Sequence, residues 1–264
     1  MGSAKSRRLE MAVAAIQKKW GPRALRRVGS EDMAAEIPHI PTGFPALDEA
    51  LGIGGVPRGR ITEILGVPTA GMTTLALKLI AGAQAEGDVA AYLDLSYSLD
   101  PDYAVRCGVA LSELLLVRPH GGEEALEIAP SLAASGGVGV LVFDSTSDLL
   151  AEGGTWPMSS ALRRLVSAVR GSPCAMVFLT GLYFGGAESP ANYPTGFDLP
   201  RCAALRLLLE RERWLRRRRD VRGYTTRVTV IKNKFAPIGA SATIAITLEN
   251  DQIPIGHLSL VVGH

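Results

Sequence analysis

The sequence predicts an α/β protein whose central sheet is mainly parallel and doubly wound. From about residue 46 to residue 182, apolar strand patterns alternate with helix patterns of roughly 10–15 residues, which is the order of βαβ units. After residue 200 the helix patterns stop and three strand patterns follow one another, which we expect to be antiparallel. The chain has 264 residues, 47% of them hydrophobic, and can bury one substantial core.

The predicted elements are separated by glycine-rich turns. A helix pattern at 47–55 ends in glycines, and the strand 61–65 runs into a glycine-rich turn before the next helix. The predicted helices are 47–55, 71–87, 101–108, 123–137 and 159–172. The predicted strands are 61–65, 89–95, 114–119, 139–144, 174–182, 202–210, 224–233 and 242–250.

Composition excludes several classes of protein. The net charge is only +2, so a nucleic-acid role would need a local basic patch. The three cysteines, Cys107, Cys174 and Cys202, are far apart and odd in number, which indicates buried thiols in a reducing compartment. No apolar run approaches the ~20 residues of a membrane span, and the polar, basic N-terminus does not resemble a secretory signal. We therefore expect a cytoplasmic protein without a membrane partner.

The sequence predicts that residues 1–37 form a separate N-terminal unit, ahead of a core of residues 38–264. A short amphipathic helix there ends at a Gly-Pro pair, and a proline-rich linker or edge strand follows. Such a helix either packs on its own core or docks on a partner. Met11, Ile16 and Trp20 are the candidate docking residues, and we expect the helix to protrude from the core.

The segment Gly66–Thr74 has the arrangement of a phosphate-binding P-loop, between a strand and a helix. In the motif G-x-x-x-x-G-K-[ST], backbone N–H groups cradle phosphates, the lysine reaches the β- and γ-phosphates, and the hydroxyl holds Mg²⁺. Gly66, Gly71 and Thr73 are in place, and Thr74 follows, but Met72 stands at the lysine position. The alternative is an ordinary glycine-rich turn between a strand and a helix.

Asp144 ends the apolar strand 139–144. In P-loop enzymes an aspartate at this place holds Mg²⁺ through water. Because many parallel strands end in an aspartate that caps a helix, Asp144 supports a nucleotide site only together with the turn at 66–74.

These segments resemble the core of the bacterial RecA recombinase family. The resemblance is carried by residues 41–87, by Asp94–Ala104, by the lysine-bearing strand Thr226–Lys234, and by residues 15–29, which are similar to the family's N-terminal helix and linker. It covers nearly the whole chain and implies a RecA-like P-loop core. The chain ends where the family's small C-terminal domain begins, so we expect that domain to be absent.

Three positions depart from the family's catalytic pattern. Met72 replaces the phosphate lysine, Ser96 falls where the resemblance implies the glutamate that activates water, and Gly181 falls where it implies the glutamine that senses the γ-phosphate. A methionine cannot neutralise phosphate charge, and neither Ser96 nor Gly181 can act as a base near neutral pH. The sequence therefore predicts a degenerate ATPase.

Other positions match the family's nucleotide contacts. The resemblance implies that Asp100 and Tyr103 hold the adenine, and that Lys232 and Lys234 reach a neighbouring protomer's nucleotide. With Thr73 and the backbone N–H groups, they predict weak binding of ATP with Mg²⁺. The alternative is that these residues now serve structure only.

The segments that resemble the family's DNA-binding loops are altered. The first falls at 150–159, and the second, 182–199, carries the aromatic side chains Tyr183 and Phe184 but no Lys or Arg. The strongest basic feature is a run of arginines between two strand patterns, which we expect at a hairpin tip. Three roles remain open for it: binding single-stranded DNA, docking on an acidic protein surface, or no role beyond a solvated loop. Its candidate DNA-binding residues are Arg211, Arg213, Trp214, Arg216, Arg217, Arg218 and Arg219.

Among members of the RecA family, the chain most resembles the ImuA-like proteins. This resemblance implies a non-hydrolysing accessory protein of the DNA-damage (SOS) response, bound near the nucleoid and acting in translesion synthesis. The implied partners are RecA or an ImuB-like polymerase subunit. Two alternatives remain open: a DNA-dependent ATPase that uses Lys232 or Lys234 in place of the missing lysine, and a single-stranded DNA-binding module.

Overall fold

The computed structural model describes residues 2–21, 37–150, 158–182, 198–218 and 220–247. The chain divides into two compact units, residues 1–37 and 38–264. The helices are α1 Gly2–Trp20, α2 Pro45–Leu51, α3 Met72–Ala85, α4 Pro101–Arg106, α5 Gly122–Ala134, α6 Thr146–Leu149, α7 Met158–Val169 and α8 Leu199–Cys202. The strands are β1 His39–Ile40, β2 Val56–Pro57, β3 Ile61–Gly66, β4 Val89–Asp94, β5 Leu114–Val117, β6 Val138–Asp144, β7 Ala175–Gly181, β8 Leu205–Arg217, β9 Asp220–Asn233 and β10 Ser241–Thr247.

The core is built on one sheet of eight strands in the order β10-β9-β8-β3-β7-β6-β4-β5. The six strands from β8 to β5 are parallel, and β9 and β10 add antiparallel strands at one edge. The predicted fold class is confirmed. The expectation that the three C-terminal strands are antiparallel to one another is also confirmed, because β9 pairs antiparallel with both β8 and β10. Strand β8 pairs in parallel with β3 on its other side and so joins this hairpin to the parallel part of the sheet.

Helices cover both faces of this sheet, which is why its parallel strands are apolar on both sides. Along β4, Ala90 and Tyr92 join one buried cluster together with residues of α3. Ala91 and Leu93 alternate with them and join a second cluster together with residues of α5 and α7. The alternation of side chains along one strand thus places a core on each face.

Strands β8 and β9 form a long hairpin, and β-bulges interrupt its register between Arg211 and Arg213 and between Leu215 and Arg216. The basic run predicted at a hairpin tip lies mostly within these strands, because only positions 218 and 219 separate them. We call this paired segment, residues 211–222, the arginine ribbon. Pairing across the hairpin extends both strands through this charged segment.

Two smaller expectations concern the thiols and the membrane. All three cysteines carry free thiols; Cys107 and Cys174 are buried as expected, whereas Cys202 is only partly buried. Among the described residues, no helix combines the length and the apolar character that crossing a membrane requires.

Candidate nucleotide and DNA site

The P-loop lies between the end of β3 and the start of α3, as the sequence predicts. Thr69 and Gly71 both adopt positive φ, 67° and 99°, which turns the chain tightly before the helix. This φ favours glycine at position 71, because side chains rarely allow it, and a Cβ atom there would also displace the Cδ1 atom of Ile246 on β10. The N–H of Leu75 is bonded to the Gly71 carbonyl at 3.0 Å, and the amides that precede it in α3 have no acceptor within the helix.

The two residues that begin α3 differ in where they lie. Met72 is partly buried and packs against the apolar cluster that includes α3, so no positive charge extends from the lysine position of the motif. Thr73 is partly exposed, as a Mg²⁺ ligand must be. Thr74 is buried, and its hydroxyl shares a 2.6 Å hydrogen bond with the Tyr103 hydroxyl.

The carboxyl ends of the central strands meet beside the P-loop. Gly181, at the end of β7, lies opposite Gly66 in the register of the sheet. Asp144, at the end of β6, lies opposite Asp94, at the end of β4. This register places Gly66, Gly181 and Asp144 at one edge of the sheet. In parallel α/β sheets, ligands bind at this edge.

The two aspartates at this edge are held differently. Asp144 accepts a 2.5 Å hydrogen bond from the Tyr92 hydroxyl. Burial, together with the negative charges of Asp94 and Asp148, raises the pKa of the Asp144 carboxyl. Asp94 is fully buried and accepts hydrogen bonds from the Ser98 N–H at 2.8 Å and from Arg118 Nε at 3.1 Å.

Sequence reasoning missed Asp94 as an element of the site. The signal was present, since Asp94 ends an apolar strand just as Asp144 does. Ser96, at the position of the family's glutamate, is exposed and shares a 2.6 Å hydrogen bond with Ser98. A serine hydroxyl in this place holds the turn after β4 and supplies no base.

Asp100 and Tyr103 lie at the start of α4. The Asp100 carboxylate accepts hydrogen bonds from the N–H groups of Asp102 at 2.9 Å and Tyr103 at 3.1 Å, so it is the N-cap of this helix. The Tyr103 ring lies 5.4 Å from the Arg106 guanidinium carbon, and burial raises the pKa of its hydroxyl to about 12. Both residues therefore have structural roles here, whether or not a base binds beside them.

The two candidate lysines lie at the end of β9 and just after it. Lys232 Nζ donates to the carbonyl oxygens of Pro200 at 2.6 Å and Arg201 at 3.0 Å, in α8. Burial, followed by the positive charges of Lys234 and Arg206, lowers the pKa of the Lys232 ammonium. Lys234 is exposed. These contacts direct Lys232 to its own chain's α8.

Glu63 on β3 carries a charge inside the sheet that sequence reasoning did not identify. It is fully buried, Arg206 Nε on β8 donates to its Oε2 at 2.6 Å, and the Thr180 hydroxyl donates to its Oε1 at 3.0 Å. Burial raises the pKa of the Glu63 carboxyl, against the lowering effect of Arg206. The two contacts of Glu63 tie together the three strands that lead to the P-loop, because Arg206 is on β8 and Thr180 is on β7.

One side chain of the arginine ribbon contacts the P-loop. Arg211 Nη1 donates to Thr69 Oγ1 at 2.8 Å, and the Arg211 guanidinium carbon lies 4.4 Å from the centre of the Trp214 ring. Trp214 in turn meets Tyr224, on β9, edge-on at 5.7 Å. Tyr224 lies under the ribbon, 8% exposed. The sequence did not predict this contact of Arg211.

The other predicted DNA-binding arginines in the described part of the ribbon are exposed: Arg213, Arg216, Arg217 and Arg218. Arg219, Tyr183 and Phe184 lie outside the described residues, as do most of the two segments predicted to contact DNA. On α1, Met11, Ile16 and Trp20 are exposed, Met11 and Trp20 by 71% and 70%.

Comparison with known proteins agrees with this geometry. Residues 7–251 match the RecA N-terminal domain family. The chain belongs to the RecA family. It is 40% identical over 252 residues to Protein RecA of Sinorhizobium fredii, covering 88% of this chain and 69% of that protein. It is 40% identical over 253 residues to Protein RecA of Symbiobacterium thermophilum, covering 89% and 71%.

The fold is also that of a solved RecA-like structure. The crystal structure of the RadB recombinase superposes with a TM-score of 0.60 at 24% identity, covering 79% of this chain and 96% of that chain. A RecA-family site for ATP and Mg²⁺ fits this chain in part. The glycine turn and the unbonded amides of α3 fit phosphate, and Thr73 and Asp144 fit Mg²⁺, but the charge that the lysine supplies is missing at Met72.

Proposed function

We propose that this chain is a RecA-family accessory protein that does not hydrolyse ATP and that modulates an assembly of its relatives by docking. The observation that carries the proposal is Met72, which packs on the core at the place where the motif needs a cation. Ser96 and Gly181 supply neither a base for water nor a polar side chain for the γ-phosphate. A P-loop with these residues holds a nucleotide weakly and leaves it intact.

Thr73 and Asp144 are the residues that would hold Mg²⁺, and Asp100 and Tyr103 would flank the base. Bound Mg²⁺ supplies charge neutralisation at the phosphates. With Lys232 bonded to the carbonyls of α8, the alternative that this lysine replaces the missing one in its own chain is disfavoured. The N-terminal unit is the proposed docking element, because α1 exposes apolar side chains that a partner would cover.

The proposed partner is RecA assembled on DNA or, in the DNA-damage response, an ImuB-like subunit of an error-prone polymerase complex. To test docking, the chain is titrated into RecA bound to single-stranded DNA, and the ATP turnover of that RecA is measured. We expect the native chain to change the turnover and a Met11→Ala/Trp20→Ala variant to leave it unchanged. An unchanged turnover with the native chain, at concentrations above that of RecA, contradicts docking on RecA.

A second candidate function is binding of single-stranded DNA by the arginine ribbon. The favouring observation is a row of exposed arginines on the β8–β9 hairpin, with Trp214 46% exposed among them. Arginine contacts phosphates and an exposed indole stacks on bases. This activity is compatible with the accessory role, because a regulator of RecA assemblies works at DNA.

A further inference from the structure

The arginine ribbon places a positive charge at the P-loop that has lost its lysine. Strand β3 ends at Gly66, opposite Leu209 of β8, and β8 continues past that end. Arg211 is two residues beyond Leu209 and so leaves the strand on the same face. Leu209 belongs to the buried cluster that includes α3. The register of the sheet thus brings Arg211 alongside the phosphate-binding turn.

The side chain of Arg211 is held in this place from two sides. Its Nη1 donates to the Thr69 hydroxyl at 2.8 Å, at the tip of the P-loop. Its guanidinium lies over the Trp214 ring at 4.4 Å, within the range of a cation–π contact. Trp214 rests edge-on against Tyr224, which is buried. The chain Tyr224–Trp214–Arg211 positions the guanidinium before any ligand binds, which reduces the entropy cost of binding.

The charge of Arg211 is not paired with a carboxylate in the described part of the chain, unlike the charges of Arg206 and Arg227 on the same hairpin. Arg227 is paired with Glu212 at 2.6 Å, and Arg206 with Glu63 at 2.6 Å. Among the described residues no carboxylate lies within ion-pair distance of Arg211. One of its five N–H donors accounts for the contact with Thr69, and the remaining donors match the bidentate geometry of phosphate.

We propose that Arg211 replaces the missing lysine as the phosphate cation of this P-loop, and that the ligand is a nucleoside triphosphate whose outer phosphates the guanidinium binds. The inference deepens the proposed function, since it rests on a P-loop that binds nucleotide without turnover. It also separates the ribbon into two parts: Arg211 serves the P-loop, and the arginines nearer the tip face solvent. Because the cation comes from a neighbouring strand rather than from the helix, it approaches the phosphates from beside the loop.

The test is calorimetric titration of the full chain with ATP and with AMP, in the presence of Mg²⁺. Variants are Arg211→Ala, Met72→Lys/Arg211→Ala and, as a matched control, Arg164→Ala, which removes an exposed arginine of α7. A charge-assisted hydrogen bond to phosphate predicts that Arg211→Ala weakens ATP binding about five- to tenfold. AMP lacks the outer phosphates, so its affinity stays unchanged. The lysine in Met72→Lys/Arg211→Ala restores ATP affinity to the native level or above it.

The inference is overturned by no ATP binding by the native chain at millimolar nucleotide, by an Arg211→Ala variant that binds ATP as the native chain does, or by equal losses for ATP and AMP. An equal loss in Arg164→Ala also overturns it, because general charge would then explain the effect. Phosphate release measured on the same samples keeps the two proposals apart. Turnover by the native chain refutes the non-hydrolysing function, whereas the ATP and AMP affinities decide the role of Arg211.

Discussion

Met72→Lys restores the lysine of the P-loop motif that this chain lacks, and we expect it to raise the affinity for ATP. A hydrogen bond to a charged group contributes about 1.5–3 kcal/mol, and ordering a long side chain costs roughly 0.5–1.5 kcal/mol. The net gain of about 1–2 kcal/mol corresponds to roughly five- to thirtyfold tighter binding. Met72 is only partly buried, so a lysine keeps its aliphatic stem on the apolar cluster and extends its amino group to the phosphates.

The assay is calorimetric titration of native, Met72→Lys and Met72→Gln proteins with ATP and Mg²⁺. Glutamine has about the length of the native methionine and an uncharged polar end, so we expect Met72→Gln to bind as the native chain does. The gain in Met72→Lys should disappear when AMP replaces ATP. Equal affinities for Met72→Lys and Met72→Gln would refute the reasoning, because the site would then not present phosphates to position 72.

Three further predictions concern stability and DNA. Arg206→Ala leaves the buried Glu63 carboxylate without its cation and should lower the free energy of unfolding by about 3–5 kcal/mol in urea titrations, with partial recovery when Glu63→Gln is added. Since burial raises the pKa of Asp144, its ionisation costs stability as pH rises through that folded pKa. Asp144→Asn should therefore be more stable than the native chain near pH 7, and the difference should vanish near the ordinary aspartate pKa of about 3.9; a constant difference would contradict this. Fluorescence anisotropy with labelled oligothymidine should show that Arg217→Ala/Arg218→Ala lowers the slope of log affinity against log salt by about 1.4, and an unchanged slope would exclude these arginines from the contact.

The order of the elements and the place of the P-loop could be predicted from the sequence. The alternation of apolar strands with glycine-ended helices is a local pattern, and β3, the turn and α3 occur where that pattern puts them. Asp144 could be assigned to the edge of the sheet because parallel strands end together. These predictions hold because each depends on residues close together in the chain.

The partners of the site residues depend on register and could not be predicted in the same way. Arg211 reaches Thr69 only because β8 pairs in parallel with β3 and extends beyond it, and this pairing joins residues that are far apart in the chain. The bulge beside Arg211 sets which side chains of the ribbon share a face, and single-sequence patterns do not reveal a bulge. The role of Asp100, in contrast, could be predicted from the sequence. An aspartate followed by proline is typical of a helix N-cap, but the resemblance assigns Asp100 to the nucleotide instead.

The most direct test of the account is release of phosphate from ATP, with and without single-stranded DNA, by the native chain and by Met72→Lys/Ser96→Glu/Gly181→Gln. The account predicts no turnover by the native chain under either condition and measurable turnover by the triple variant, which regains the cation, the base and the side chain that faces the γ-phosphate. DNA-stimulated turnover by the native chain would contradict it and would mean that other residues of this RecA-family core perform the chemistry.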